Sequence, residues 1–329
     1  MFGGNALFAD ALKCAKYEKV PVSVRLLPWS GVDIFRSCKP HAYPKTNGWI
    51  GTGSRQLSGG GKRANSGPSI LPWEVPSIQN PIQKVLSTLS AHKVRALLIG
   101  GQACVFYGAA EFSRDTDLTL LASDNNLALL RGALRELQAR RIAVPPFEQQ
   151  FLLRGHAIHF RCYHPDALNM RVDIMAVMRG VDPFPLLWDR RTHLVGEDGQ
   201  HYDVISLQDL IRSKKTQGDK DWPMIRRLVE ADYVGRETSS EADVEFWLRE
   251  SRTPAMLISL AQPHPELTEG LIPARPLLSA ARTGSERAIE EGLEQEERLE
   301  READRAYWEP LRREMEALRH GAVPSEEKV

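Results

Sequence analysis

The spacing of apolar residues along this chain changes period several times, and each change marks an expected element. From Asn80-Pro81 onward, Ile82, Val85, Leu86 and Leu89 recur at helical spacing, and Pro81 suits a first helical turn. Ala96 to Ile99 is a short apolar run stopped by Gly100 and Gly101, which reads as a buried strand. A short helix over Gln102 to Ala109 and a second strand over Asp117 to Leu121 follow. Ser123-Asp124-Asn125 then forms an N-cap cluster for a helix from about Asn126 to Arg141. After Pro145-Pro146 the pattern alternates. His156 to Tyr163 and Met170 to Val177 read as an antiparallel pair turning at His164-Pro165-Asp166, and a second hairpin spans Thr192 to Ile205 around Gly196-Glu197-Asp198-Gly199. Helices are expected over Leu207 to Gln217, Asp219 to Tyr233, Ser240 to Arg252 and Glu286 to Arg319. The last has Glu and Arg at i,i+4 and a sparse apolar stripe, so it reads as solvated rather than as a coiled coil.

Residues 1 to 80 follow neither period. From Pro40 to Pro81 the chain is crowded with Gly, Ser, Pro and Asn and cannot bury enough surface to offset its ordering entropy, so a disordered or linker-like extension is expected. Gly61-Lys62 does not make a P-loop, because Gln56 stands where the first Gly is needed and Arg63 where Ser or Thr is needed. Three regions result: the extension over 1–80, a folded domain over 81–235, and a helical, partly solvated extension over 236–329. The expected class is α+β, a small mixed or antiparallel sheet with helices on one side, followed by C-terminal helices.

Composition removes some functions and selects none. Hydrophobic residues make up 42% of the 329, and no apolar run approaches the roughly 18 to 20 residues of a membrane span. Met1 to Lys19 lacks the apolar core of a secretory signal, which makes the cytoplasm the expected compartment. Cys14, Cys38, Cys104 and Cys162 are far apart and show no CxxC or Cys/His spacing, so reduced thiols are expected rather than a zinc site or disulfides. The formal net charge is zero, but Lys and Arg dominate residues 1 to 75 and Glu dominates 286 to 329, so averaged charge points to no partner class.

The chemistry concentrates in a few residues. Asp115 and Asp117 are two apart on an expected strand and project to one face, with Thr116 opposite. Two neighbouring carboxylates repel unless a hard cation joins them. Asp173 interrupts an apolar strand, sharing its face with Arg171, and a buried acid needs a partner or a metal. Gly100 and Gly101, lacking Cβ atoms, let backbone amides approach phosphate oxygens. His156 and His159 fall on opposite faces of their strand and form no ligand pair, so structural or surface roles are expected for them.

These motifs resemble the nucleotidyltransferase superfamily with the polymerase-β-like fold, and most nearly its bacterial branch of minimal nucleotidyltransferases and AbiEii-type toxins. The family's signature is an apolar residue, Gly, then Gly or Ser, a spacer of nine to thirteen residues, and Asp-x-Asp. Here it is Ile99-Gly100-Gly101, thirteen residues, then Asp115-Thr116-Asp117-Leu118, with Asp173 resembling the third acid. Tyr107-Gly108, Arg114 and the stretch Ser206 to Lys214 also match that branch. The likeness covers about residues 82 to 233. It implies transfer of a nucleoside monophosphate from an NTP to an acceptor hydroxyl, with Mg2+ or Mn2+ held by Asp115, Asp117 and Asp173. Nucleotide contacts would come from Gly100, Gly101, Arg114, Arg171 and Lys214, with Arg212 and Lys215 as neighbouring candidates. The implied acceptor is RNA, protein or a small molecule such as an antibiotic, with an antitoxin partner if the protein is a toxin. A non-catalytic nucleotide-binding or regulatory module with the same fold is the alternative. Thr116 replaces the family's apolar residue, so the back of that strand is expected to be less buried.

Overall fold

The computed structural model describes residues 81–110, 112–195 and 201–321. The expected 1–80 extension, Cys14, Cys38, the turn of the second hairpin and the last eight residues lie outside the described residues.

The described chain is α+β, built on a mixed seven-stranded sheet. Helix α1 (Pro81–Ala91) leads into β1 (Ala96–Ile99), α2 (Gly100–Phe106) and β2 (Asp115–Leu120). Then come α3 (Asp124–Glu136), β3 (Arg140–Arg141), α4 (Gln149–Arg154), β4 (Ile158–Arg161) and β5 (Arg171–Met175). The sheet is completed after α5 (Phe184–Asp189) by β6 (Thr192–Val195) and β7 (His201–Val204). Its order is β3-β4-β5-β2-β1-β7-β6. The two apolar runs flanking the glycine pair are neighbours, β1 running antiparallel to β2, while β5 runs parallel to β2 on its other side.

Period-2 burial explains this sheet. Thr116, Leu118, Val172, Ile174, Ile158 and Phe160 share one face and are buried. Asp115, Asp117, Asp173 and His159 share the other and are half-buried. Thr116 is therefore fully buried rather than less so, and its hydroxyl, like that of Thr119, has no hydrogen-bond partner among the described residues. Asn126 pins the layers together: its side chain accepts from Arg95 N at 2.8 Å and donates to Leu121 O at 2.8 Å, tying the entry to β1 and the exit of β2 to α3.

Several elements depart from expectation. Helix α3 begins as read, with Ser123 Oγ accepting from Asn126 N, but ends at Glu136 instead of running to Arg141. Gln138 adopts φ +51° and Ala139 N bonds back to Leu134 O, a Schellman-type stop with Gln where Gly is usual. Arg140 and Arg141 are thereby released to pair with β4. Helices α4 and α5 are additional to the elements read from the pattern.

Beyond the sheet come α6 (Leu207–Ser213), α7 (Asp221–Gly235), α8 (Glu241–Glu250), α9 (Pro254–Ala261), α10 (Pro265–Leu271), α11 (Leu278–Thr283) and α12 (Glu286–Gly321). A capping box of Ser240 and Asp243 starts α8. Helix α12 keeps most of its side chains in solvent, yet its buried Asp304 accepts from Gln217 N at 2.9 Å, Arg301 reaches Asp219 at 2.7 Å, and Glu314 meets His156 at 2.8 Å. The loop that follows α6 is therefore held at two points by α12. Among the described residues no helix is long and apolar enough to cross a membrane.

Candidate active site

Strand register assembles the acids. Asp117 and Asp173 are directly opposite on the parallel strands β2 and β5, and Asp115 stands opposite Arg171 one pleat earlier. Residues paired this way share a face, about 4.8 Å apart across the sheet. The antiparallel register of β4 adds His159 opposite Asp173.

The glycine pair packs against this face before it can do anything else. Gly100 has φ +67°, in the left-handed region, and a Cβ built on it would lie 2.0 Å from Asp117 Oδ2. A Cβ on Gly101 would lie 2.6 Å from Ser113 Oγ. Gly101 N–H donates to the Asp117 carboxylate, and Gln102 Nε2 donates to Ser113 O at 2.8 Å, fastening the loop that enters β2. Close approach and backbone angle thus require glycine at position 100, while at 101 a Cβ would have to displace the Ser113 side chain.

The electrostatics differ between the two facing acids. Burial first, and then the Asp173 charge, push Asp117 up to about 6, with Lys214 and the Gly101 amide pulling the other way. Burial also pushes on Asp173, but His159 and Arg171 outweigh it and the carboxyl is held below its usual range. Arg171 Nε donates to Asp173 Oδ1 at 2.8 Å, and His159 Nδ1 lies 2.9 Å from the same oxygen. His159 is thus a site residue that alternation alone did not reveal. Its signal is the register of the β4–β5 pair, which the turn sequence does not specify.

Lys214 caps the end of α6 and donates to Asp221 Oδ1 at 2.9 Å. Burial acts to lower its pKa, but Asp221 and then Cys104 and Asp117 raise it further, so the ammonium stays charged beside the acids. Its neighbours are turned elsewhere: Lys215 pairs with Glu250 at 2.8 Å and Arg212 lies 3.7 Å from Asp209. Arg114 is exposed on the loop entering β2. Cys104, also near Lys214, has its thiol pushed by burial up to about 11, which makes it a packing residue rather than a nucleophile.

The set of three carboxylates fits a hard divalent cation in donor type and in strand position. The side chains do not converge as a cage: among the described residues no three His, Cys, Asp or Glu groups come together to hold an ion. Asp173 is instead turned to Arg171 and His159, both of which meet its Oδ1. A cavity of ≈ 250 Å³ lies on the opposite face of the sheet, lined by Leu98, Leu118 and Trp188 and by none of the acids.

No family model matches the chain, and no curated protein matches it. Six chains of solved structure do match. One is the crystal structure of a "putative nucleotidyltransferase from H. pylori", similar at 11% identity over 70% of this chain and 99% of that one, with a TM-score of 0.34. A likeness that weak carries no argument about activity, which has to be read from the acid face itself.

Proposed function

We propose that this protein is a metal-dependent nucleotidyltransferase that moves a nucleoside monophosphate from an NTP to an acceptor hydroxyl and releases pyrophosphate. The observation that carries this reading is the facing pair Asp117 and Asp173 on adjacent parallel strands, with Asp115 on the same face. Divalent cations held by these three carboxylates would offset the triphosphate charge and make the attacking hydroxyl more acidic. Gly100 keeps Asp117 seated by leaving room for it. Asp173 takes up the acceptor's proton or passes it to solvent, once Arg171 has swung from it to a phosphate. His159 holds the orientation of Asp173. Lys214 supplies a fixed positive charge to the triphosphate, and exposed Arg114 a second one.

The test is to incubate the full chain with each α-labelled NTP, Mg2+ and cell extract, then follow pyrophosphate release and the label. Release with incorporation is expected for at least one NTP. Binding of NTP without any release sinks the transferase and leaves a binding module. Lys214→Met is expected to raise KM for the NTP by roughly tenfold or more, with a smaller effect on kcat, since one charge-assisted contact is worth about 1.5–3 kcal/mol. An unchanged KM removes Lys214 from the site.

A further inference from the structure

Three arginines stand in one row across the sheet and lead to the acids. Arg140 on β3 is opposite Arg161 on β4, Arg161 is opposite Arg171 on β5, and Arg171 is opposite Asp115 on β2. All four therefore share the acid face, spaced by about 4.8 Å per strand, or roughly 10 Å from the first arginine to the third. Arg140 and Arg161 are exposed, whereas Arg171 is turned to Asp173. The Arg140 guanidinium also lies 5.0 Å over the Tyr163 ring, and that tyrosine is 40% exposed.

Like charges directly opposite on paired strands destabilise a sheet. Arg161 faces solvent at the end of β4 and makes no ion pair among the described residues. A row that works against the sheet and points outward is explained by an anionic partner. Three charges in line match successive phosphates of one backbone better than a single phosphate. Guanidinium beside an exposed aromatic ring is the usual hardware for stacking unpaired bases.

We propose that this row is a track for single-stranded nucleic acid, whose terminal hydroxyl is delivered to Asp115 and Asp173 as the acceptor. The proposal rests on the transfer reading above. The terminal hydroxyl oxygen bonds to the α-phosphorus of the NTP, and the bond from that phosphorus to the oxygen bridging to the β-phosphorus breaks. The hydroxyl proton passes to Asp173 or solvent, and pyrophosphate leaves with the bonding electron pair.

The experiment is fluorescence anisotropy of the full chain with a labelled single-stranded RNA of about twelve nucleotides, titrated between roughly 50 and 200 mM salt, where phosphate contacts are read as a salt slope. Arg140→Gln and Arg161→Gln are each expected to weaken binding roughly tenfold and to reduce the slope by about 0.7, the value of one phosphate contact on a single strand. Arg161→Gln is not expected to lower the melting temperature, because it removes a like-charge neighbour; an arginine kept for the fold would show the reverse. Native-like RNA binding by the double variant overturns the track, and so does competition by poly-glutamate as effective as unlabelled RNA. Asp117→Asn separates the two readings, since it is expected to bind RNA at least as tightly as the native chain. RNA binding without transfer in the native chain sinks the transferase and keeps the track. Transfer to a small hydroxyl without RNA binding sinks the track alone.

Discussion

Asp117→Asn is expected to abolish transfer and at the same time to stabilise the fold at pH 8. Loss of an outer partner of a metal ligand typically costs 10 to 100-fold, so loss of a direct ligand is expected to cost more than about 100-fold in kcat. The stability change has the opposite sign. Burial moves the Asp117 carboxyl up to about 6 in the folded chain from its ordinary 3.8, so between those pH values the folded state holds a proton that the unfolded state has lost. Stability therefore falls as pH rises from 3.8 to 6, and above 6 the full penalty, on the order of 3 kcal/mol, is in place. Asn removes the charge and keeps an oxygen for the Gly101 amide, so a large part of that penalty is expected to return. Urea denaturation in EDTA at pH 5 and pH 8 measures it: the variant's gain over the native chain is expected to grow with pH, and a gain that is flat or reversed rejects this account. In the native chain at pH 8, added Mg2+ is expected to raise the melting temperature, because a ligand bound to the folded state alone stabilises it. The rise is expected to shrink in Asp117→Asn. Equal rises would place the cation elsewhere.

This tension between stability and chemistry is what makes the core of the candidate site legible in sequence. Gly-Gly closing an apolar run, Asp-x-Asp opening the next and an acid inside a later apolar strand are each poor choices for a fold, and the structure brings them to one face. What stayed hidden is set by register and by tertiary context. His159 was visible as an alternating residue, but its pairing with Asp173 depends on how the β4–β5 turn counts residues, and there the chain passes through a 3-10 turn at Pro165–Ala167 with Asn169 at φ +63°. The arginine row was hidden for a related reason. The helical pattern runs on through Arg140 in sequence because the left-handed stop at Gln138 carries no glycine. Helices α9, α10 and α11 have only eight, seven and six residues, too few turns for a 3.6-residue period to stand out. Thr116 misled in the other direction: a hydroxyl suggests solvent, yet this one is fully buried by the apolar neighbours at Leu118, Val172 and Ile174.

Gly100→Ala is expected to destabilise the fold by about 3 kcal/mol and to silence transfer without removing a single functional group. Two costs add. An L-residue held in the left-handed region costs roughly 1–2 kcal/mol. Overpacking costs a further 1–3 kcal/mol or so where the neighbours cannot yield. Here they cannot yield by a simple rotation, because the new methyl would meet Asp117 at Oδ2, Cγ and Cβ, at 2.0, 2.6 and 2.7 Å. Turning the carboxylate away leaves the Asp117 Cβ in collision, so the start of α2 must move off β2 and carry the Gly101 amide with it. The two costs can be separated, since all three of the nearest atoms belong to Asp117. In the Asp117→Gly background the collision is gone and only the backbone cost remains. A double-mutant cycle by urea denaturation is therefore expected to give a coupling of about 1–3 kcal/mol, with Gly100→Ala milder when Asp117 is already Gly. Additive effects would mean that the glycine is needed for its backbone angle alone, and that Asp117 owes its position to β2 and not to the residue packed over it.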